Sequence, residues 1–206
     1  MTHKKAHGHH ENTDRGYRLL ASITSLSLKK QLAFALLVFE RMLPSLTAFS
    51  KDTGFDDSCY LQGKDAAWAA LRDGDIEPSL NEACLRGAPD TENFSHELTS
   101  YALNAALAMS DILEFILDGR AQHIAYILTL ATDSVDFYVG ALDPSAVYTP
   151  ELERRIAAHP LMRQEMCRQE EDIKFLSNLP DQFDEAAISA LRARANNQAP
   201  LLPLSR

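Results

Sequence analysis

The feature that most constrains this chain is an unbroken apolar run, Leu32-Ala33-Phe34-Ala35-Leu36-Leu37-Val38-Phe39, set between Lys29-Lys30 and Glu40-Arg41. It lies in a stretch from Leu26 to about Lys51 that reads with helical period. A surface helix keeps one face polar, whereas the middle of this one is apolar all round, so other elements must surround it. The run is far shorter than the roughly twenty residues a bilayer span needs, and no membrane is expected. Pro44 falls inside the same pattern and should kink or break the helix, because its ring removes a hydrogen bond and clashes with the preceding turn.

No other segment alternates cleanly enough to be a strand. Helical candidates run from about Asp14 to Ser25, from Asp57-Ser58 to Arg72, and from Pro78 to Arg86. The strongest runs from Ser95 to Asp118, with Leu98, Tyr101, Ala102, Ala105, Met109, Ile112 and Ile116 on one face. Gly119 stops it, and Ile124, Ile127, Leu128, Ala131, Val135 and Tyr138 begin the next, so the two should form a tight antiparallel hairpin. Thr149-Pro150 and His159-Pro160 start further helices, the second running to about Asn178, and Pro180-Asp181 opens the last, which fades near Asn196. With 206 residues, this is the size of one self-sufficient domain. The expected fold is all-α: a single-domain multi-helix bundle around the central apolar helix and the hairpin, over residues 16–197. Residues 1–15 are expected to be a disordered His-rich extension, and 198–206 a flexible Pro/Leu tail or an apolar strip that docks on something.

The formal charge of -9 argues against a nucleic-acid partner, since counterion release needs clustered Lys and Arg. Cys59, Cys84 and Cys167 lie far apart without a CxxC pair, which fits a reducing cytoplasm better than a disulfide framework. The N-terminus has no apolar stretch after Lys4-Lys5 and is not a signal peptide by pattern.

Glu40-Arg41-Met42-Leu43-Pro44, followed by Phe49 and Thr53-Gly54-Phe55, resembles the opening signature of the YjaG-like family of bacterial proteins, catalogued as domain of unknown function 416. His159-Pro160 through Glu165 to Phe175-Leu176 resembles that family's late helix, and the hairpin around Ala102, Ala105 and Gly119 fits between them. The resemblance covers roughly residues 25 to 185. It implies a small all-helical bacterial cytosolic fold and carries no activity with it.

Several constellations bear chemistry. Glu40 and Arg41 end the all-apolar helix, where each needs a partner: either they are an acid-base or ligand-anchoring pair, or they belong to an ion-pair network tying this helix to its neighbours. Asp111 with Glu114, and Asp133 with Asp136, stand at three-residue spacing on consecutive helices. Facing one another, they would hold Mg²⁺, as in the ExxE and ExxD motifs of all-helical nucleotide pyrophosphatases. At 100° per residue, however, all four lie away from the main apolar stripes and meet only if the outer faces, with Leu103, Leu107 and Tyr126, form a second interface. His7, His9 and His10 offer transition-metal capture on a floppy segment. The isolated cysteines read as small core residues, and the charges after Pro160 as a solvated surface.

Phosphate loops, GxSxG elbows, HExxH and EF-hand loops are absent from the sequence, and no catalytic residue is assigned. The expected function is that of a cytoplasmic, non-catalytic protein-binding or self-associating module without a cofactor. The alternatives are a Mg²⁺-dependent all-helical hydrolase of nucleotides or other phosphorylated small molecules, and a small-ligand-binding bundle using Glu40 and Arg41.

Overall fold

Helix α2 (Leu28–Thr53) is the element on which the others are laid, and it packs against α3 (Ser58–Asp73), α5 (Thr99–Asp118), α6 (Ala121–Ala141), α8 (Pro160–Ser177) and α9 (Glu185–Asn197). The computed structural model describes residues 18–143, 147 and 149–204, so His7, His9 and His10, with the rest of the expected 1–15 extension, lie outside the described residues. A helical stretch over 18–24, α1, precedes α2; α4 (Pro78–Arg86) and α7 (Pro150–Ala157) complete the set, with no strand among the described residues. The fold is all-α, as the sequence implies. Every residue from Leu32 to Phe39 is buried on α2, which is what an all-round apolar surface demands.

Pro44 does not break α2. The residues on both sides of it, Met42, Ser45, Leu46 and Phe49, are buried in the same core. Their burial holds the helix continuous across the missing donor, a case of tertiary packing overriding a local breaker.

Helix α5 packs on α2 and pairs with α6 through a tight turn at Gly119, whose φ of 69° is open to glycine at little cost. Asn104 Nδ2 donates to Ser134 Oγ (3.0 Å), and Asp111 Oδ1 lies 3.0 Å from His123 Nδ1, so α5 and α6 run antiparallel. Helix α3 comes close to α5 at Gly63, where an added Cβ would lie 3.0 Å from Met109 Sδ. Helices α2 and α5 are each long and apolar enough to cross a membrane by composition, yet 72% and 56% of their most apolar windows are buried within the bundle.

The N-terminal signals act as written at α7, where Thr149 accepts from the Leu152 N–H at 3.2 Å, and at α8, where His159 Nδ1 accepts from the Leu161 N–H. The last helix starts later than Pro180-Asp181, because Asp184 supplies the cap: its Oδ1 accepts from the Ala187 N–H at 2.8 Å. The tail is also corrected. Leu201 and Leu202 are buried, and the Leu201 N–H donates to the Arg41 carbonyl at 2.8 Å, so residues 198–204 are docked where a flexible end was one of the two expectations.

Candidate functional site

Arg41 is buried, and all three of its guanidinium nitrogens are engaged by protein acceptors. Nε and Nη2 form a two-pronged pair with Glu165 of α8 (2.9 and 2.7 Å), while Nη1 donates to Asp172 Oδ2 (2.7 Å), Gln198 Oε1 (2.6 Å) and the Leu37 carbonyl (3.2 Å). Arg194 of α9 and Gln198 satisfy the other Asp172 oxygen, and Gln169 donates to Glu165. Burial acts to lower the Arg41 pKa, but Glu165 and Asp172 outweigh it and hold the value above ordinary. Arg41 and Arg194 face Glu165 and Asp172, and every Arg41 guanidinium nitrogen is engaged within the protein.

The charge pattern after Pro160 implies a solvated surface, and on the face of α8 that meets Arg41 the structure overturns this. Met162, Glu165, Gln169, Asp172 and Leu176 are all buried. Their spacing of three and four is the available signal: two apolar residues in phase with two acids mark a buried stripe, and a buried arginine needs acids. Glu40 takes no part. Its Oε1 accepts from the Trp68 Nε1–H at 2.8 Å, and Arg192 lies over the Trp68 ring at 5.0 Å.

The four carboxylates on the hairpin do not converge. Asp111 and Glu114 meet His123, whereas Asp133 lies ten residues further along α6, about 15 Å at the helical rise. Burial raises the Asp133 and Asp136 carboxyls, with Asp136 and Glu153 adding like charge respectively. The two pairs cannot share one ion.

What does assemble is a seam along α5. Its least buried stripe is Leu103, Leu107, Asp111, Glu114 and Asp118, at helical spacing. Helix α4 flanks one side, where Asn81 Nδ2 lies 3.4 Å from Glu114 Oε1, and α6 flanks the other, where His123 Nδ1 lies 3.0 Å from Asp111 and 3.6 Å from Glu114. Exposed Tyr126 and Phe137 stand on the α6 side and Leu85 on α4, one turn after Asn81. Burial pulls the His123 imidazole down, yet its bonds to Asp111 and Asp118 prevail and raise it. Burial raises Asp111, and the Arg120 N–H chiefly lowers Asp118. Sequence reasoning missed His123, because its position is set by the hairpin register rather than by any local motif.

Two thiols that are distant in sequence are neighbours. Cys84 Sγ donates to the Cys59 carbonyl at 3.3 Å, and Tyr60 Oη donates to the Cys84 carbonyl at 2.8 Å. Burial, with Cys59 beside it, pushes the Cys84 thiol up to about 12.

These features define an all-helical single-domain protein built around one enclosed helix. The family described as "Protein of unknown function (DUF416)" matches residues 18–199, and the chain belongs to it. In structure it is similar to a DUF416 family protein from Shewanella baltica OS155, with a TM-score of 0.76 and 21% identity over 86% of this chain and 92% of that one. At that identity the likeness speaks to the fold. No curated protein matches the sequence.

Proposed function

We propose that the protein is a non-catalytic cytoplasmic binding module whose seam along α5, between α4 and α6, accepts a basic amphipathic helix of another protein. The observation that carries this reading is the composition of the seam. Leu103 and Leu107 share the α5 stripe with the acids and lie outside the packed core, and Tyr126 and Phe137 on α6 and Leu85 on α4 are about half exposed. Scattered exposed apolar residues are ordinary, but apolar residues on neighbouring helices flanking an acidic stripe supply what a groove for an amphipathic helix needs.

Charge selects the partner. Neither α5 nor α6 carries a Lys or Arg, while Asp111, Glu114, Asp118, Asp133 and Asp136 stand along them. An acidic stripe flanked by apolar residues favours a segment with apolar anchors and Lys or Arg on its flanks. A second copy of this chain presenting the same seam would set acids against acids.

The test compares the wild-type chain with Tyr126→Glu/Phe137→Glu in affinity capture, with the captured segment mapped by crosslinking. A basic helical segment crosslinked to α5 or α6, released by salt and lost in the double variant, is the expected result. Capture that is indifferent to the substitutions, or a strict monomer by light scattering that retains no partner, overturns the reading.

A further inference from the structure

Independently of what docks in the seam, we infer that Asp111, Glu114 and His123 form a binding site for a first-row divalent cation of the Zn²⁺ class, with Asp118 orienting the imidazole. One ligand atom from each of the three lies within 4.8 Å of the others. His123 Nδ1 is 3.0 Å from Asp111 Oδ1 and 3.6 Å from Glu114 Oε2. A cation bound at about 2.0 to 2.2 Å places its nitrogen and oxygen ligands roughly 3 to 3.6 Å apart, the spacing that His123 Nδ1 already has from each carboxylate.

The other ring nitrogen fits the same role. His123 Nε2 lies 3.2 Å from Asp118 Oδ2. A ligating histidine characteristically gives its second ring N–H to a carboxylate, which fixes the tautomer that leaves Nδ1 free for metal. Arg120, the nearby cation, engages Asp118 (3.4 Å) rather than the two ligand carboxylates. Asp111 and Glu114 therefore face a single imidazole, leaving negative charge in excess even when that ring is protonated. On the α4 side, Asn81 Nδ2 lies 3.4 Å from Glu114 Oε1.

The donor set decides the class of ion. Carboxylates alone suit Mg²⁺, which the four-acid arrangement would have taken, but an imidazole nitrogen among two carboxylates favours Zn²⁺ and its neighbours. Three protein ligands leave coordination positions for water.

The experiment uses the full chain with His3, His7, His9 and His10 replaced by Ala, so that the N-terminal histidines do not compete. After chelator treatment, Zn²⁺ is titrated by calorimetry and Co²⁺ by visible absorption. Expected are a single saturable equivalent, Co²⁺ bands displaced by Zn²⁺ but not by excess Mg²⁺, and loss of both signals in His123→Gln. Asp118→Asn should keep the stoichiometry and weaken binding about 10- to 100-fold. If His123→Gln fails to fold, Glu114→Gln takes its place, at a side chain 40% exposed: a loss of tenfold or more supports the site. Absence of saturable Zn²⁺ binding, or binding unchanged by the ligand substitutions, overturns it.

Discussion

Arg41 and Glu165, far apart in sequence, meet as a two-pronged pair across α2 and α8, with both side chains 1% exposed. A planar guanidinium fits a carboxylate in this way and a lysine does not. Breaking such a pair from one side strands the other charge in the core. Arg41→Met should therefore destabilise by about 3 to 5 kcal/mol, with Glu165 and Asp172 both left without it. Arg41→Lys should recover only part of the loss, because it restores the charge without the fork. Urea unfolding monitored by circular dichroism measures both, and a midpoint unmoved by Arg41→Met would refute the assignment.

The same network depends on the end of the chain. Gln198 bridges Arg41 and Asp172, and Leu201 and Leu202 are buried beyond it. Leu202→Ala should cost about 2 to 5 kcal/mol, the range for emptying a buried leucine site. Truncation after Asn197 should cost more than that substitution, since it also removes Gln198 and opens the network to water. A truncated chain as stable as wild type in urea would show that the tail contributes nothing.

The enclosed helix and the hairpin are legible in the sequence because both are written in long periodic patterns that burial alone can satisfy. Leu32 to Phe39 admits no exposed face, and the stripe from Leu98 to Ile116 requires a partner. Partnerships between distant polar residues are harder to read. Arg41 calls for acids, but Glu165 and Asp172 are hidden in a helix whose other faces carry many charges. His123 reaches Asp111 only through the hairpin register, and Cys59 meets Cys84 only because α4 folds back on α3. Pro44 and the tail fail in the opposite direction: local rules foretell a kink or a break and leave open a loose end, whereas tertiary burial keeps the helix unbroken and docks the tail.

The three thiols should separate by reactivity. Only the thiolate attacks Ellman's reagent; Cys84 is buried and pushed up to about 12, and burial also raises Cys59. Cys167 on α8 is exposed. In the native protein at pH 8, one thiol should react within minutes and the other two only on unfolding. Cys167→Ser should abolish the fast phase, whereas a fast phase that survives it would place Cys59 or Cys84 nearer to solvent than the fold allows.

Acid sensitivity should carry the signature of Lys30 and Asp181. The Lys30 ammonium is largely buried on α2 and lies 3.1 Å from Asp181 Oδ1, which is itself 72% exposed. The bond and charge of Lys30 hold the Asp181 carboxyl below its ordinary value. For a carboxylate depressed in the folded state, the stabilisation is fully present above the unfolded pKa, about 3.9, and is lost as pH falls through the lower folded value. Asp181→Asn should therefore lower stability by a constant amount from pH 5 to 8, and the gap from wild type should close below about pH 3.9. Because Asp181 faces solvent, added salt should shrink that gap as well. Urea midpoints across this range test the assignment, and a gap that widens toward low pH would contradict it.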